Sequence, residues 1–174
     1  MAADYVEEIR KVQAEAPYYL LGWSFGGIVA QEMAVQLQDA GQRVDGLILV
    51  DAYPAPETGD NGGEDLPDTR RRITEDLEEG RLAMAKFFTR DEHAAYRDVI
   101  LNNIRIQHAH KIRKFKGDLL VVSGSLSDAA DGRWHPYVSG SVREIKIDCP
   151  HTEMMTRPDA VRQIGEELTR FLGR

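Results

Sequence analysis

The sequence predicts an α/β fold in which a parallel β-sheet is flanked by helices. Three observations carry this. Tyr18 to Trp23, Val44 to Val50 and Leu119 to Val122 are short apolar runs without the alternation of a strand that wets one face, as expected of strands buried on both faces of a parallel sheet. The segments between them place apolar residues at helical spacing. The resulting order, buried strand alternating with helix, is that of a parallel sheet with crossover helices. A length of 174 residues suits a single domain.

The elements follow in order. A first helix is read over Asp4 to Gln13, where Tyr5, Val6, Ile9 and Val12 recur at helical spacing and Pro17 ends the pattern. After the strand from Tyr18, Ile28 to Gln38 forms a second helix, with Ile28, Val29, Met33 and Leu37 inward and Gly41 near its end. The strand from Val44 stops at Asp51. Tyr53 to Gly63 holds Pro54, Pro56, Gly59, Gly62 and Gly63, which is loop chemistry. Residues 68 to 116 contain three charged, amphipathic, helical segments and no strand of comparable strength. Strands return at Leu119 to Val122 and at Val142 to Ile147. A last helix, Asp159 to Leu172, sets Val161, Ile164, Leu168 and Phe171 on one face.

Composition narrows the function. A net charge of −7 argues against a nucleic-acid binder held by phosphate contacts. The single cysteine, Cys149, excludes an internal disulfide and any multi-cysteine zinc site. His108 and His110 stand two apart on a helical segment and so face different ways, which makes a poor metal pair. No apolar run approaches the roughly 18 residues of a membrane span, and the first turns carry charge where a signal peptide would be greasy. The expectation is a soluble, cytoplasmic protein with no cofactor, no metal, no nucleic-acid partner and no membrane partner.

Functional residues in such a sheet gather where the strands end. Gly22-Trp23-Ser24-Phe25-Gly26 matches G-x-S-x-G between a buried strand and a helix, the context of a nucleophile elbow. Side chains at positions 22 and 26 are expected to collide in that turn. A serine hydroxyl needs a base, and the base needs a third group to hold it. His93 lies in the helical insertion and is expected to be exposed, and His135 lies in a loop beside Trp134 and Pro136. His151 follows the last strand and precedes the final helix, where the order Ser, acid, His places the base. Two positions compete for the acid. Asp51 ends the strand after the nucleophile strand, whereas Asp128 (or Asp131) follows the next one. Spacing leaves both open.

Tyr19-Leu20-Leu21-Gly22-Trp23-Ser24-Phe25-Gly26-Gly27, a helix, then Leu47-Ile48-Leu49-Val50-Asp51-Ala52-Tyr53-Pro54 resembles the thioesterase domains of nonribosomal peptide synthetases. Polyketide synthase thioesterases are a looser match. Trp134-His135-Pro136-Tyr137-Val138-Ser139-Gly140 and His151-Thr152-Glu153-Met154-Met155 are similar too. The resemblance covers most of residues 1 to 53 and 117 to 172. It implies an α/β-hydrolase fold with Ser24 as nucleophile, His151 as general acid and base, and Asp51 as the acid. It also implies an oxyanion donor in the Phe25 backbone N–H, and a lid formed by residues 57 to 116. The implied partner is an acyl or peptidyl carrier protein, whose phosphopantetheine arm presents the chain to be released by hydrolysis or macrocyclisation.

Two further expectations concern surfaces. Residues 105 to 116 carry Arg105, Lys111, Arg113, Lys114 and Lys116 without an acid, while residues 1 to 100 hold 10 basic and 20 acidic groups. That patch suits an acidic carrier surface or its phosphate, although a solvated helix end would carry the same charges. Members of the resembled family also begin with several strands ahead of the first helix read here, and one of their loops supplies a second oxyanion N–H. The expected sheet therefore lacks those N-terminal strands, about 50–70 residues by ordinary strand and connection lengths. With a half-built oxyanion hole, activity is expected to be weak unless a partner completes it. The strand 18–23 is expected at an edge, open to self-association or to another chain. A stand-alone serine esterase or proofreading thioesterase would share the triad, and an inert fragment or acyl-binding scaffold is the non-enzymatic alternative.

Overall fold

The computed structural model describes residues 1–55, 66–80, 82, 85–125 and 132–173. It divides the chain into two compact units, Met1–Pro54 with Lys111–Arg174, and Ala55–His110.

The first unit is a four-stranded parallel sheet in the order β1 (Tyr18–Trp23), β2 (Val44–Val50), β3 (Leu119–Gly124), β4 (Val142–Ile147). Helix α1 (Ala2–Val12) packs on α2 (Phe25–Asp39), which packs in turn on β1 and β2. On this face Leu20, Leu47, Leu49, Leu119 and Val121 meet Ile28, Leu37, Phe115 and Trp134. The other face belongs to the last helix (Pro158–Leu172), where Ile48, Val50, Leu120 and Val122 meet Cys149, Met154, Ile164 and Phe171. Successive residues of a strand point to opposite faces, so the unbroken apolar runs of β2 and β3 feed both layers at once.

β1 departs from that expectation. Its residues alternate between buried and open, with Tyr19 53% and Leu21 43% exposed. The reason is coverage. α2 lies over one face of β1, but the last helix reaches β2 and β3 on the other. β1 stands at an edge of the sheet among the described residues.

Two helical faces also shift. On α1, Tyr5 and Val12 are exposed, and Ala2, Val6 and Ile9 make the partial contact with the core. On the last helix Val161 is exposed, and the inward stripe is Ala160, Ile164, Leu168 and Phe171. That stripe keeps i, i+3 and i, i+4 spacing, which places the Ala160 side chain where Val161 was expected.

The second unit holds α3 (Leu66–Glu78), a single 3-10 turn at Ala85–Phe87, and α4 (Arg90–Ala109). The last helix of the chain is therefore α5. Where the sequence suggests three helical segments, the described residues contain two α-helices and that short turn. Ile73, Leu77, Ala85 and Leu101 form the unit's own small core. Residues 111–116 group with the sheet unit. Gln31 Nε2 donates to the Arg113 carbonyl at 2.6 Å, the Gln38 side chain holds both the N–H and the carbonyl of Lys116, and Phe115 is fully buried. Among the described residues no helix is long and apolar enough to cross a membrane.

Candidate active site

Parallel strands bring their carboxyl ends to one edge, and the segments that leave that edge carry the candidate residues. Ser24 follows β1, Asp51 follows β2, Gly124 ends β3, and His151 lies just beyond β4. Backbone bonds stitch these exits together. Ser24 N–H donates to the Val50 carbonyl at 2.9 Å, Asp51 N–H to that of Val122 at 2.7 Å, and Ser125 N–H to that of Cys149 at 3.1 Å.

Ser24 has φ 55° and ψ −131°, a conformation that an ordinary residue rarely adopts. The surrounding turn holds it there. A Cβ on Gly22 would lie 2.2 Å from the Gly26 carbonyl oxygen and 2.5 Å from Gly27 Cα. On Gly27 it would lie 2.4 Å from Ala52 Cβ. Gly26 is different: a Cβ there meets nothing within 4 Å. The collision expected at positions 22 and 26 therefore belongs to 22 and 27, because position 26 already turns away from the sheet at the start of α2. Phe25 is the first residue of α2, so its N–H has no carbonyl four residues back within the helix.

Asp51 also has positive φ, 47°, and its side chain is only 4% exposed. Its carboxylate is held on both oxygens. Oδ2 lies 2.6 Å from His151 Nδ1, and Oδ1 accepts from the Tyr53 hydroxyl and from Gly124 N–H, each at 3.0 Å. A carboxylate can only accept, so Nδ1 carries the proton of the His151 bond, and in the neutral imidazole the lone pair lies on Nε2. His151 opens a short 3-10 turn, His151–Glu153, and is 42% exposed. One face of its ring is stacked by Trp23 at 5.1 Å.

The structure thus joins Asp51 to His151. Among the described residues it makes no hydrogen bond from the Ser24 hydroxyl to either; in unliganded sites such bonds often close only with substrate. Asp128 and Asp131, the rival acids, lie outside the described residues. His93 is not exposed as expected but partly buried, its Nε2 3.3 Å from the Ala85 carbonyl. Of the basic residues, Arg105 sits on α4, while Lys111, Arg113, Lys114 and Lys116 lie in the segment entering β3. Arg113 is committed to Glu32 at 2.7 Å and Asp39 at 2.5 Å, and these bonds hold its guanidinium more firmly protonated than usual.

Three contributors escape sequence reasoning. Tyr53 and Gly124 hold Asp51, and Trp134, fully buried, donates its indole N–H to the Ala52 carbonyl at 2.8 Å. Trp134 and Tyr53 lie in stretches that carry the family resemblance, which is the only signal that marks them. No spacing rule links Gly124 to Asp51, 73 residues away.

A family model described as "Thioesterase domain" matches residues 1–171. The chain is 33% identical over 198 aligned positions to the dimodular nonribosomal peptide synthase of Bacillus subtilis (strain 168), covering 97% of this chain and 8% of that protein. It is 31% identical over 180 positions to malpinin synthetase of Mortierella alpina, covering 99% of this chain and 2% of that protein. The chain spans less than a tenth of the length of these relatives. Among solved structures, the NocB thioesterase domain in covalent complex with a fluorophosphonate nocardicin G analogue matches with a TM-score of 0.74 at 26% identity, over 100% of this chain and 74% of that one. The SrfTE thioesterase domain, described for cyclisation of surfactin, shares the fold with a TM-score of 0.69 at 19% identity, over 99% of this chain and 75% of that one.

Proposed function

This chain belongs to the thioesterase-domain family, of the kind found in nonribosomal peptide synthetases, and from that premise we propose that it releases an acyl or peptidyl chain from a carrier protein through a serine acyl-enzyme. Ser24 Oγ attacks the carbonyl carbon of the thioester while His151 Nε2 takes its proton. The carbon–sulfur bond breaks, and the proton passes from His151 to the departing thiolate of the phosphopantetheine arm. Water, or a nucleophile within the bound chain, then attacks the serine ester, again deprotonated by His151, and Ser24 leaves with the proton restored. Asp51 holds the imidazole by Nδ1 and balances its charge when protonated. The Phe25 N–H donates to the oxyanion, a contact whose loss in such sites costs about 2.7–4 kcal/mol of barrier.

The observation that carries this reading is the 2.6 Å contact between Asp51 and His151 at the sheet edge where Ser24 occupies its strained turn. The wider assignments go with it. The helical insertion serves as lid, Arg105, Lys111, Lys114 and Lys116 meet the acidic carrier, and the open edge of β1 pairs with another strand. No cofactor takes part in this chemistry.

A fluorophosphonate probe tests the core of the proposal, since it phosphonylates an activated serine. Labelling at Ser24, abolished in Ser24→Ala and in His151→Ala, is the expected result. Folded protein that takes no label would remove the acyl-enzyme route and leave an acyl-binding scaffold.

A further inference from the structure

The side chain of Trp23, at the variable position ahead of Ser24, has no part in the proposed chemistry. Its indole nonetheless stacks on the His151 imidazole, with ring centroids 5.1 Å apart and planes 28° from parallel. Trp23 also packs against the apolar cluster on the sheet face that carries Ile48, Val50 and Val122. Its Nε1 is buried and, among the described residues, makes no hydrogen bond. Packing and the stack therefore set its pose.

Asp51 and Trp23 constrain the imidazole in different directions. The bond to Asp51 fixes the Nδ1 edge of the ring but leaves rotation about the bond axis open. The indole fixes the plane. We infer that Trp23 is a positioning residue for His151, whose π face sets the tilt of the imidazole toward Ser24 and stabilises the imidazolium formed when Ser24 gives up its proton. The inference rests on the triad proposed above.

An aromatic face carries partial negative charge, so it favours a cation lying over it. At 42% exposure the imidazole still meets water, which keeps the gain at the low end of such contacts. The Asp51 carboxylate faces the ring from the end of β2. On the turn of His151 itself, Glu153 is paired with Arg157, which also binds Asp159 and the Asp148 carbonyl. Trp23 is a neutral contact against the face of the ring.

The test uses the full chain with Trp23→Phe, Trp23→Leu and His151→Gln. Protonated imidazole quenches a stacked indole, so fluorescence should fall in a single step as His151 protonates. That step should vanish in His151→Gln and in Trp23→Phe, which leaves only Trp134. A step that survives in His151→Gln overturns the stack. The second readout is the pH profile of fluorophosphonate labelling at Ser24. In Trp23→Leu its acid limb should move to lower pH and its plateau fall about threefold, while Trp23→Phe stays near the parent protein. An unmoved limb in Trp23→Leu, or an equal defect in Trp23→Phe, overturns the positioning role. Failure of the triad itself reads differently: His151→Gln would label like the parent, whatever the fluorescence does.

Discussion

Asp51 Oδ2 and His151 Nδ1 lie 2.6 Å apart across 100 residues of chain, and the carboxylate between them is nearly sealed from solvent. Its other oxygen is occupied by Tyr53 and Gly124. A buried carboxylate so surrounded has one orientation available, which fixes the direction of its bond to the imidazole Nδ1. Asp51→Asn should therefore slow fluorophosphonate labelling by about 10³–10⁴-fold, because an amide can donate to Nδ1 and trap the wrong tautomer. Asp128→Asn should leave the rate within about threefold. The reverse ranking would move the acid to the loop after β3.

The turn around Ser24 makes a prediction about stability that needs no substrate. Gly22→Ala forces a methyl into backbone atoms and should cost at least about 3 kcal/mol in denaturant unfolding. Gly27→Ala meets Ala52 and should also destabilise. Gly26→Ala meets open space on a helix and should be neutral or stabilising by up to about 1 kcal/mol. Equal losses at 26 and 22 would contradict the turn described here.

Burial pushes the Cys149 thiol above its usual pKa. The native protein should resist iodoacetamide at pH 8 and react once denatured. The sign of the stability effect follows. Below the ordinary thiol range both states are neutral and the contribution is intact. As pH rises, the unfolded chain ionises first, and stability falls until the folded thiol ionises too. Melting temperature should drop in that alkaline window for the parent and drop less for Cys149→Ala. An identical alkaline slope in both would rule the thiol out as the cause.

An exposed edge strand with outward Tyr19 and Leu21 is a template for pairing. Light scattering should detect association that weakens in Leu21→Lys, because a lysine on the edge disfavours a second strand. Association unchanged by that substitution would locate the contact elsewhere.

The unevenness of what could be read follows from range. β2 and β3 were legible because both of their faces are covered, so their apolar runs are as continuous as the burial. β1 has a similar run, yet its outer face is open, since coverage depends on where α5 lies and not on β1. The stripe of α5 was legible to within one residue, but whether Ala160 or Val161 turns inward depends on the helix's rotation against β2 and β3. In the site, Ser24 was legible because an elbow is a local turn, built within five residues. Gly27 was legible as a close approach of helix to sheet, but its partner, Ala52 just past the end of β2, is one that no local pattern names.

The sequence by itself determined the order of strands and helices, the strained serine turn, and the candidate base beyond the last strand, because each depends on spacing within a few residues. The family resemblance implies Asp51 as the acid, but only the tertiary structure shows it bonded to His151 and shows Trp23 stacked on the ring. Asp51 and Trp23 reach His151 from the ends of two adjacent strands, and Tyr53 and Gly124 close around the carboxylate from two more directions. These contacts span up to 128 residues of chain, between Trp23 and His151, and they exist because parallel strands align their carboxyl ends at one edge. No local pattern encodes that alignment; the packing of the whole sheet does.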